Sequence, residues 1–344
     1  MKRLYVLTLC SIGMAALTFF FKKSNPTTIA IGEGCVLPNE WLVANATLRT
    51  PKEDVRPADQ TFLTFPEWFL VFSPEEQAHY FKQHTATTFP FMSHTAQIWQ
   101  SYSIVNDQIK GHFPTNTGYH FMIWVIGTSA TVEYSIKSWY EIIFGRITDT
   151  EQPVTDEDLF NANFTQEYVD FIKDRPWYEF DFKHRLKALW TSTSFFGCNF
   201  SRKLERKYLL TSELLVKYVY GKLIGLGTKQ VYDIALPTTT VLLNNDSLLS
   251  LPRYDKFADT AISISLKGQS FKEIAGNNSA ILLTVLVAND NKIEFENAKT
   301  VFILPIASAP FMKRIALAVP VANLSLLLKK LNSYNIKVEH IFDY

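Results

Sequence analysis

An apolar run without a charged residue, Leu4 to Phe21, opens the chain between Lys2-Arg3 and Lys22-Lys23. A helix rises about 1.5 Å per residue, so this run extends over about 27 Å, close to the thickness of a bilayer's hydrocarbon core. Basic residues at both ends are typical of a helix that is held across a membrane. We therefore predict a single-pass transmembrane signal anchor at residues 1–23, with membrane lipid as the partner of residues 4–21.

A cleaved signal peptide is the alternative, because it would use the same apolar run. It needs small residues just before the cut, and Gly13-Met14-Ala15 offers such a site. Phe19 to Phe21 continue the apolar run beyond it, which favours the uncleaved anchor. The flanking charges are almost balanced and lean towards a cytoplasmic N-terminus. The prediction is a membrane-anchored chain with an exported, periplasmic body, which leaves room for an envelope protein as a second partner.

The composition describes a folded body. Lys and Arg number 34 and Asp and Glu 33, so the net charge is +1, without the basic surplus that a nucleic-acid-binding protein needs. Hydrophobic residues make up 47% of the chain, which excludes a disordered, solvating protein. We predict that nucleic acid is not a partner.

Behind the anchor, the pattern divides the chain into three parts. Residues 24–60 are interrupted by prolines and predict a tether. Residues 61–230 show helical periodicity and many aromatic side chains, and Ser73-Pro74-Glu75-Glu76 has the pattern of a helix start. From about Ile234 the period becomes that of strands. Residues 231–344 therefore predict an α+β domain, a sandwich with helices on one face.

Part of the C-terminal domain resembles a known family. The segments Lys313 to Pro320, Leu324 to Leu331 and Asn335 to Ile341 are similar to half of an ACT-type ferredoxin-like domain. The resemblance implies a ferredoxin-like fold for this domain. It also implies binding of a small effector, such as an amino acid, near the loop that enters the helix. The family usually has Gly in that loop, where this chain has Val321-Ala322-Asn323.

The sequence lacks the common motifs for binding metals and cofactors. None of the seven histidines forms a His-x-x-x-His pair, and the chain has no Cys-x-x-Cys, so we predict neither a metal nor a cofactor. Gly221 to Lys229 has glycines but lacks the order of a phosphate-binding loop. Cys35 and Cys198 can form one disulfide or remain two free thiols.

The segment from Tyr119 to Arg146 admits three interpretations. It can be the central helix of an aromatic bundle, with Glu133, Lys137 and Glu141 as an ion-pair ladder. It can lie at the membrane surface through Trp124, Trp139 and Tyr140. It can instead contribute to a buried polar site, and the candidate catalytic residues would then be Glu133, His120 and His94.

Two shorter features also carry expectations. The small residues from Gly127 to Thr131 predict that a neighbouring helix approaches closely. A basic helix at residues 202–229 suits either a membrane surface or an ordinary protein surface. Because the chain as a whole is nearly neutral, this local basicity implies acidity elsewhere, for example at residues 151–158.

No catalytic constellation is evident, so we expect a membrane-anchored envelope protein with a binding, assembly or sensing role. The alternative is a membrane-anchored hydrolase or lipid-modifying enzyme that uses the polar cluster of the helical domain. The sequence leans against an enzyme.

Overall fold

The computed structural model describes residues 36–43, 48–84, 88–140, 155–172, 175, 177–231, 238–291, 295 and 297–344. The predicted anchor lies outside these ranges, and within them no helix is long and apolar enough to span a membrane. The predicted α+β class is confirmed. Short 3-10 helices at Asn39–Leu42 and Lys52–Asp54 open the described part, and a third lies at Trp177–Glu179. Six α-helices make up most of its first half: α1 (Gln60–Tyr80), α2 (Phe91–Ile109), α3 (Thr117–Tyr140), α4 (Asp156–Ile172), α5 (Phe182–Ser192) and α6 (Phe200–Val231).

Two antiparallel sheets form the C-terminal part, with the orders β2-β1-β3 and β5-β6-β4-β7. The strands fall within residues 231–344, where the strand period was predicted, and β2 is a short edge strand next to β1. It pairs with β1 across the turn at residues 244–247, whose Asn-Asn-Asp-Ser sequence is typical of a hairpin turn. The elements are β1 (Thr238–Leu243), β2 (Leu248–Pro252), α7 (Asp255–Leu266), β3 (Phe271–Ile274), β4 (Ala280–Ala288), β5 (Lys299–Pro305), β6 (Met312–Pro320), α8 (Val321–Ser333) and β7 (Lys337–Ile341).

The four-stranded sheet is covered by helices on both faces. The two helices of the C-terminal part lie together on one face, and α1 of the helical part covers the other. On one face Ile281 and Leu283 of β4 pack with α7 and α8. On the other face Leu282 packs with Phe62 and Phe65 of α1. The physical reason is visible in β4, which is apolar at nearly every position rather than at alternate ones, as expected of a strand buried on both sides.

Helix α1 is the centre of the molecule. It contacts α2, α3, α4 and β4, and it is buried around most of its circumference. The predicted helix start at Ser73 is therefore wrong: Ser73 and Pro74 lie inside α1, which begins at Gln60. The Ser73 hydroxyl bonds within the core instead of capping a helix. Helix α3, expected to be central, lies beside α1 and exposes one face.

Part of the segment predicted as a tether packs on this fold. Leu37 and Leu42 are buried in the core shared by α1 and the sheet, and the Leu37 amide donates to Gln108 Oε1 of α2 at 2.9 Å. Farther along, the Thr50 amide donates to Glu273 Oε2 of β3 at 2.8 Å. These contacts attach residues 36–42 and 49–60 to both halves of the chain.

The small residues of α3 do allow a close approach, and the group that approaches is Trp99 of α2. A β-carbon at Gly127 would lie 2.8 Å from Cζ2 of the Trp99 ring, well inside van der Waals contact. The indole is held in place because its Nε1 donates to Thr131 Oγ1 at 2.9 Å and its ring meets Trp124 edge-on. A residue larger than glycine at position 127 therefore requires the ring to shift.

Gly127→Ala should lower the stability of the protein. The added methyl overpacks the contact with Trp99, at a cost of about 1–3 kcal/mol, which exceeds the gain of about 1 kcal/mol from better helix propensity. Gly225→Ala in α6 is the matched control, because its β-carbon would meet Tyr178 at an ordinary 3.7 Å. Thermal melting followed by circular dichroism should show a loss for the first variant and no loss for the second. Equal behaviour of the two would contradict the close contact.

Candidate functional site

His94 occupies the most enzyme-like arrangement in the described part of the chain. On α2, its Nε2 lies 3.0 Å from Glu76 Oε2 and its Nδ1 lies 3.1 Å from Ser73 Oγ, both on α1. All three side chains are buried. An ionised carboxylate can only accept hydrogen bonds, so Nε2 donates to Glu76. A serine, a histidine and a carboxylate in hydrogen-bond contact are the elements of a nucleophile–base–orienting triad.

Glu76 has further partners that tie this group to the four-stranded sheet. Its Oε1 accepts from Arg314 Nη1 of β6 at 2.9 Å, and its Oε2 accepts from the Ala307 amide at 3.0 Å. Burial would raise the pKa of Glu76, but His94 and Arg314 outweigh it and lower the pKa to about 2. Arg314 also holds Glu339 of β7 by two bonds of 2.6 and 2.8 Å. The carboxylate is thus ionised and fully engaged.

Glu133 belongs to a second buried group, formed by α3 and α6. Lys137 Nζ lies 2.9 Å from Glu133 Oε1 and 2.7 Å from Glu213 Oε2, and Lys217 Nζ lies 2.6 Å from Glu213 Oε1. Burial opposes the ionised form, yet the two lysines lower the pKa of Glu213 to about 2. The predicted pair Glu133–Lys137 is present, although buried and continued by α6. Glu141, the third member of the predicted ladder, lies outside the described residues.

The basic residues of α6 meet the acidic residues at the start of α4. Lys203 pairs with Asp156 at 3.2 Å, and Arg206 pairs with Asp158 at 2.6 Å. Lys207 lies 3.3 Å from the buried Glu157. The acidity expected near residues 151–158 is therefore the counterpart of the basic helix. These three cations are directed towards α4 and are engaged in ion pairs with it.

Of the three candidate residues, His94 and Glu133 lie in neighbouring networks and His120 lies apart. Tyr134 stands between the first two, because its hydroxyl bonds to Ser73 and to Gln77 while Lys137 Nζ lies 5.5 Å above its ring. His120 is 13 residues from Glu133 on the same helix, about 20 Å along the axis. Its Nδ1 is 2.8 Å from the Tyr102 hydroxyl. The three candidates therefore do not form one site.

The sequence analysis missed several members of these networks: Ser73, Glu76, Glu213, Arg314 and Glu339. Arg314 carried a readable signal, because it stands inside the apolar strand Met312–Pro320, where a charged side chain is rarely buried without a partner. Nothing in the sequence indicates that Glu76 is this partner, because the two residues are 238 positions apart.

The rest of the described chain offers little for cofactor binding. In these ranges no group of three or more His, Cys, Asp or Glu residues is arranged to hold a metal ion. A small surface pocket is lined in part by Asp54, Arg56, Arg253 and Asp343, and it contains none of the three candidates. Cys198 is exposed, whereas Cys35 lies outside the described residues.

Comparisons of the chain with protein-family models, with curated proteins and with solved structures gave no match. The function must therefore be argued from the geometry of the buried networks and of the surface.

Glu76→Gln should weaken the acid dependence of stability. The folded-state pKa of Glu76, about 2, lies below the ordinary value of 4.5, so its ionisation stabilises the fold above about pH 4.5. That contribution, about 3 kcal/mol, is lost as the pH falls through the folded-state pKa. The melting temperature of the detergent-solubilised full chain, measured from neutral pH to about pH 3, should be lower for the variant at neutral pH and should then change less with acid.

Asp107→Asn is the control for this experiment, because Asp107 is an exposed carboxylate on α2. It should leave both the melting temperature and its dependence on pH close to those of the unchanged protein. A Glu76→Gln curve parallel to that of the unchanged protein would contradict the assignment of acid sensitivity to Glu76.

Proposed function

We propose that the chain is a membrane-anchored envelope protein with a binding, assembly or sensing role. Residues 4–21 would hold it in the bilayer with the N-terminus in the cytoplasm, and the body would lie in the periplasm. The support from sequence is the apolar run with its basic flanks. The support from geometry is that the candidate catalytic groups are used as structural contacts.

The observation that carries the proposal is that Glu76, His94 and Glu133 already have hydrogen-bond or ion-pair partners within the protein. Each of them is buried. Glu76 and His94 are bonded to groups of other elements, and Glu133 pairs with Lys137 of its own helix and with Lys217 of α6 at 3.6 Å. An enzyme needs its acid, base or nucleophile within reach of a substrate. Buried groups that satisfy one another are expected in any folded core, so these residues fit a structural role.

The finer fold assignment is also our inference. Strands β6 and β7 both run antiparallel to β4, which lies between them, and α8 connects them. This is a split βαβ unit of the ferredoxin-like type. A second helix would be expected between β4 and β5. The residues that the structure describes there, 289–291, 295, 297 and 298, are not helical, and α7 packs beside α8. Effector sensing by this domain is one form that the proposed role can take.

One observation favours the alternative of a hydrolase or lipid-modifying enzyme, namely the contact series Ser73–His94–Glu76. In that case the core would have to open for a substrate to reach Ser73. Glu133 would then serve the reaction together with His94, across Tyr134.

Glu133→Gln separates the two functions. If Glu133 is structural, the substitution leaves Lys137 and Lys217 with one fewer buried counter-charge, at a cost of about 3–5 kcal/mol, and the melting temperature falls. Glu167→Gln is the control, because it removes only the exposed ion pair with Arg185, worth about 0–1 kcal/mol. Loss of the cellular function with an unchanged melting temperature would instead identify Glu133 as a catalytic residue.

Native mass spectrometry of the full-length protein, gently extracted from its own membrane, tests the proposed role directly. We expect a co-purifying envelope protein of defined stoichiometry, or a retained effector such as an amino acid. A retained lipid substrate or product without a protein partner would overturn the proposal in favour of the enzyme.

A further inference from the structure

Helices α3 and α6 are arranged with their charges inside and many of their large apolar side chains outside. The inner faces carry Glu133, Lys137, Glu213 and Lys217, all of them buried. Large aromatic and aliphatic side chains occupy the outer faces. In water the hydrophobic effect favours the reverse arrangement, so the outer faces call for an explanation.

The outer face of α3 is an apolar stripe. Phe121, Trp124, Val132 and Trp139 are spaced by 3, 8 and 7 residues, which places them on one side of a helix with 3.6 residues per turn. All four are exposed, and Phe121 retains 71% of its accessible surface. Trp124 packs on Trp99, so the stripe is broadened by α2.

The outer face of α6 is a second apolar stripe. Its members recur at intervals of 4 or 7 residues and are all exposed. The contacts Lys137–Glu213 and Glu133–Lys217 show that α3 and α6 run antiparallel. Tyr140 of α3, next to Trp139 in the sequence, stacks on Tyr208 of the α6 stripe with ring centroids 4.5 Å apart. The stripe consists of Phe200, Leu204, Tyr208, Leu215, Val219 and Leu223.

An aromatic loop extends this surface beyond the N-terminus of α6. Phe195 stacks on Trp190 with ring centroids 6.1 Å apart, and Phe196 stacks on Phe200 at 6.2 Å. Phe196 retains 77% of its accessible surface. The loop thus presents a cluster of rings outward, although aromatic side chains of this size are ordinarily buried.

We propose that the two stripes and the aromatic loop form one lipid-contacting surface that lies against a bilayer. In an apolar environment, charged side chains face the interior of a helical bundle and pair with one another, as Glu133, Lys137, Glu213 and Lys217 do. Trp and Tyr rings are favoured at the boundary between lipid and water. Contact of this kind lies on the membrane and does not require a helix that spans it.

Charge supports lipid as the occupant rather than a second protein. Lys187 and Lys183 are exposed on α5, three and seven residues before Trp190, so the three share one helix face. Lys222 is exposed on the outer side of α6. Lysines at the border of an apolar surface suit anionic lipid headgroups.

The inference rests on the proposed membrane anchoring, because the anchor would bring the surface to the bilayer. Twelve residues, 24 to 35, separate the predicted anchor from the described chain. A chain of that length spans at most about 40 Å. The body would therefore remain within reach of the headgroups.

The test uses the full chain reconstituted in vesicles of phosphatidylcholine and phosphatidylglycerol, with single cysteines labelled by an environment-sensitive fluorophore. Cys198 alone, with Cys10 and Cys35 changed to serine, reports the aromatic loop. Leu215→Cys in a background without native cysteines reports the α6 stripe. Leu326→Cys in the same background is the control, because Leu326 is exposed on α8, beyond the sheet.

Lipids brominated in their acyl chains quench a probe in the bilayer, and iodide quenches a probe in water. We expect the probes at 198 and 215 to lose emission with brominated lipid and to be shielded from iodide, and the probe at 326 to behave in the opposite way. Quenching of 198 and 215 by iodide would overturn the inference. Shielding from iodide without quenching by brominated lipid would also overturn it, because a protein would then cover the surface.

A chain that retains only Cys10 tests the anchor separately, since Cys10 lies within the apolar run. Quenching by brominated lipid at position 10, together with iodide access at 198 and 215, would remove the lipid-contacting surface and leave the anchor. Absence of lipid quenching at position 10 would contradict the anchor itself, whatever the other probes report.

Discussion

The ion pair between Arg314 and Glu76 is the contact on which the assembly of the two halves depends. It joins residues 238 positions apart and attaches the central helix α1 to strand β6. Both side chains are buried. Loss of either would deprive the other of one charged partner inside the protein, and it would leave Arg314 with Glu339 alone, or Glu76 with His94 and the Ala307 amide. The surrounding interface is aromatic: the rings of Phe65 and Phe302 lie 4.6 Å apart, and those of Trp68 and His340 lie 3.7 Å apart. Burial lowers the pKa of His340 to about 3, so this histidine packs as a neutral ring.

The same principle, charge paired with charge inside the protein, extends through the helical part. Glu133, Lys137, Glu213 and Lys217 join α3 to α6, and the acidic start of α4 meets the basic side of α6. A helix that turns its charges inward has to turn other residues outward. The exposed stripes on α3 and α6 are therefore the other consequence of the buried networks, and the two features require a common explanation.

Local patterns in the sequence were sufficient for most of the elements, and long-range pairing was not predictable from them. Strands such as β1 and β4 follow from their β-branched and apolar runs. The nearly continuous apolar sequence of β4 is typical of a strand buried on both faces, and it would also have predicted helices on the second face of the sheet. The helix start at Ser73 was wrong because Ser73 and Pro74 form a capping pattern that the apolar surroundings of α1 override.

At the candidate site, too, individual residues could be predicted from the local sequence, whereas their partners could not. His94 and Glu133 were identified as polar residues in an apolar context, and both are buried members of ion-pair networks. Their partners Arg314 and Glu213 come from distant parts of the chain, so spacing could not associate them. His120 failed to join the others because α3 is a continuous helix, and 13 residues of helix separate it from Glu133.

Buried ionisable residues are often taken as a sign of catalysis, because active sites shift pKa values through burial and neighbouring charge. In this protein the pKa values of Glu76 and Glu213 are lowered, because adjacent cations hold both carboxylates in the ionised form. This direction is the one expected for ion pairs. A carboxylate with a pKa of about 2 is ionised at neutral pH, so Glu76 and Glu213 can pair with cations and accept hydrogen bonds but cannot donate a proton. The polar core therefore accounts for how the helices hold together, and the apolar stripes that it leaves outside are the surface for which we propose contact with lipid.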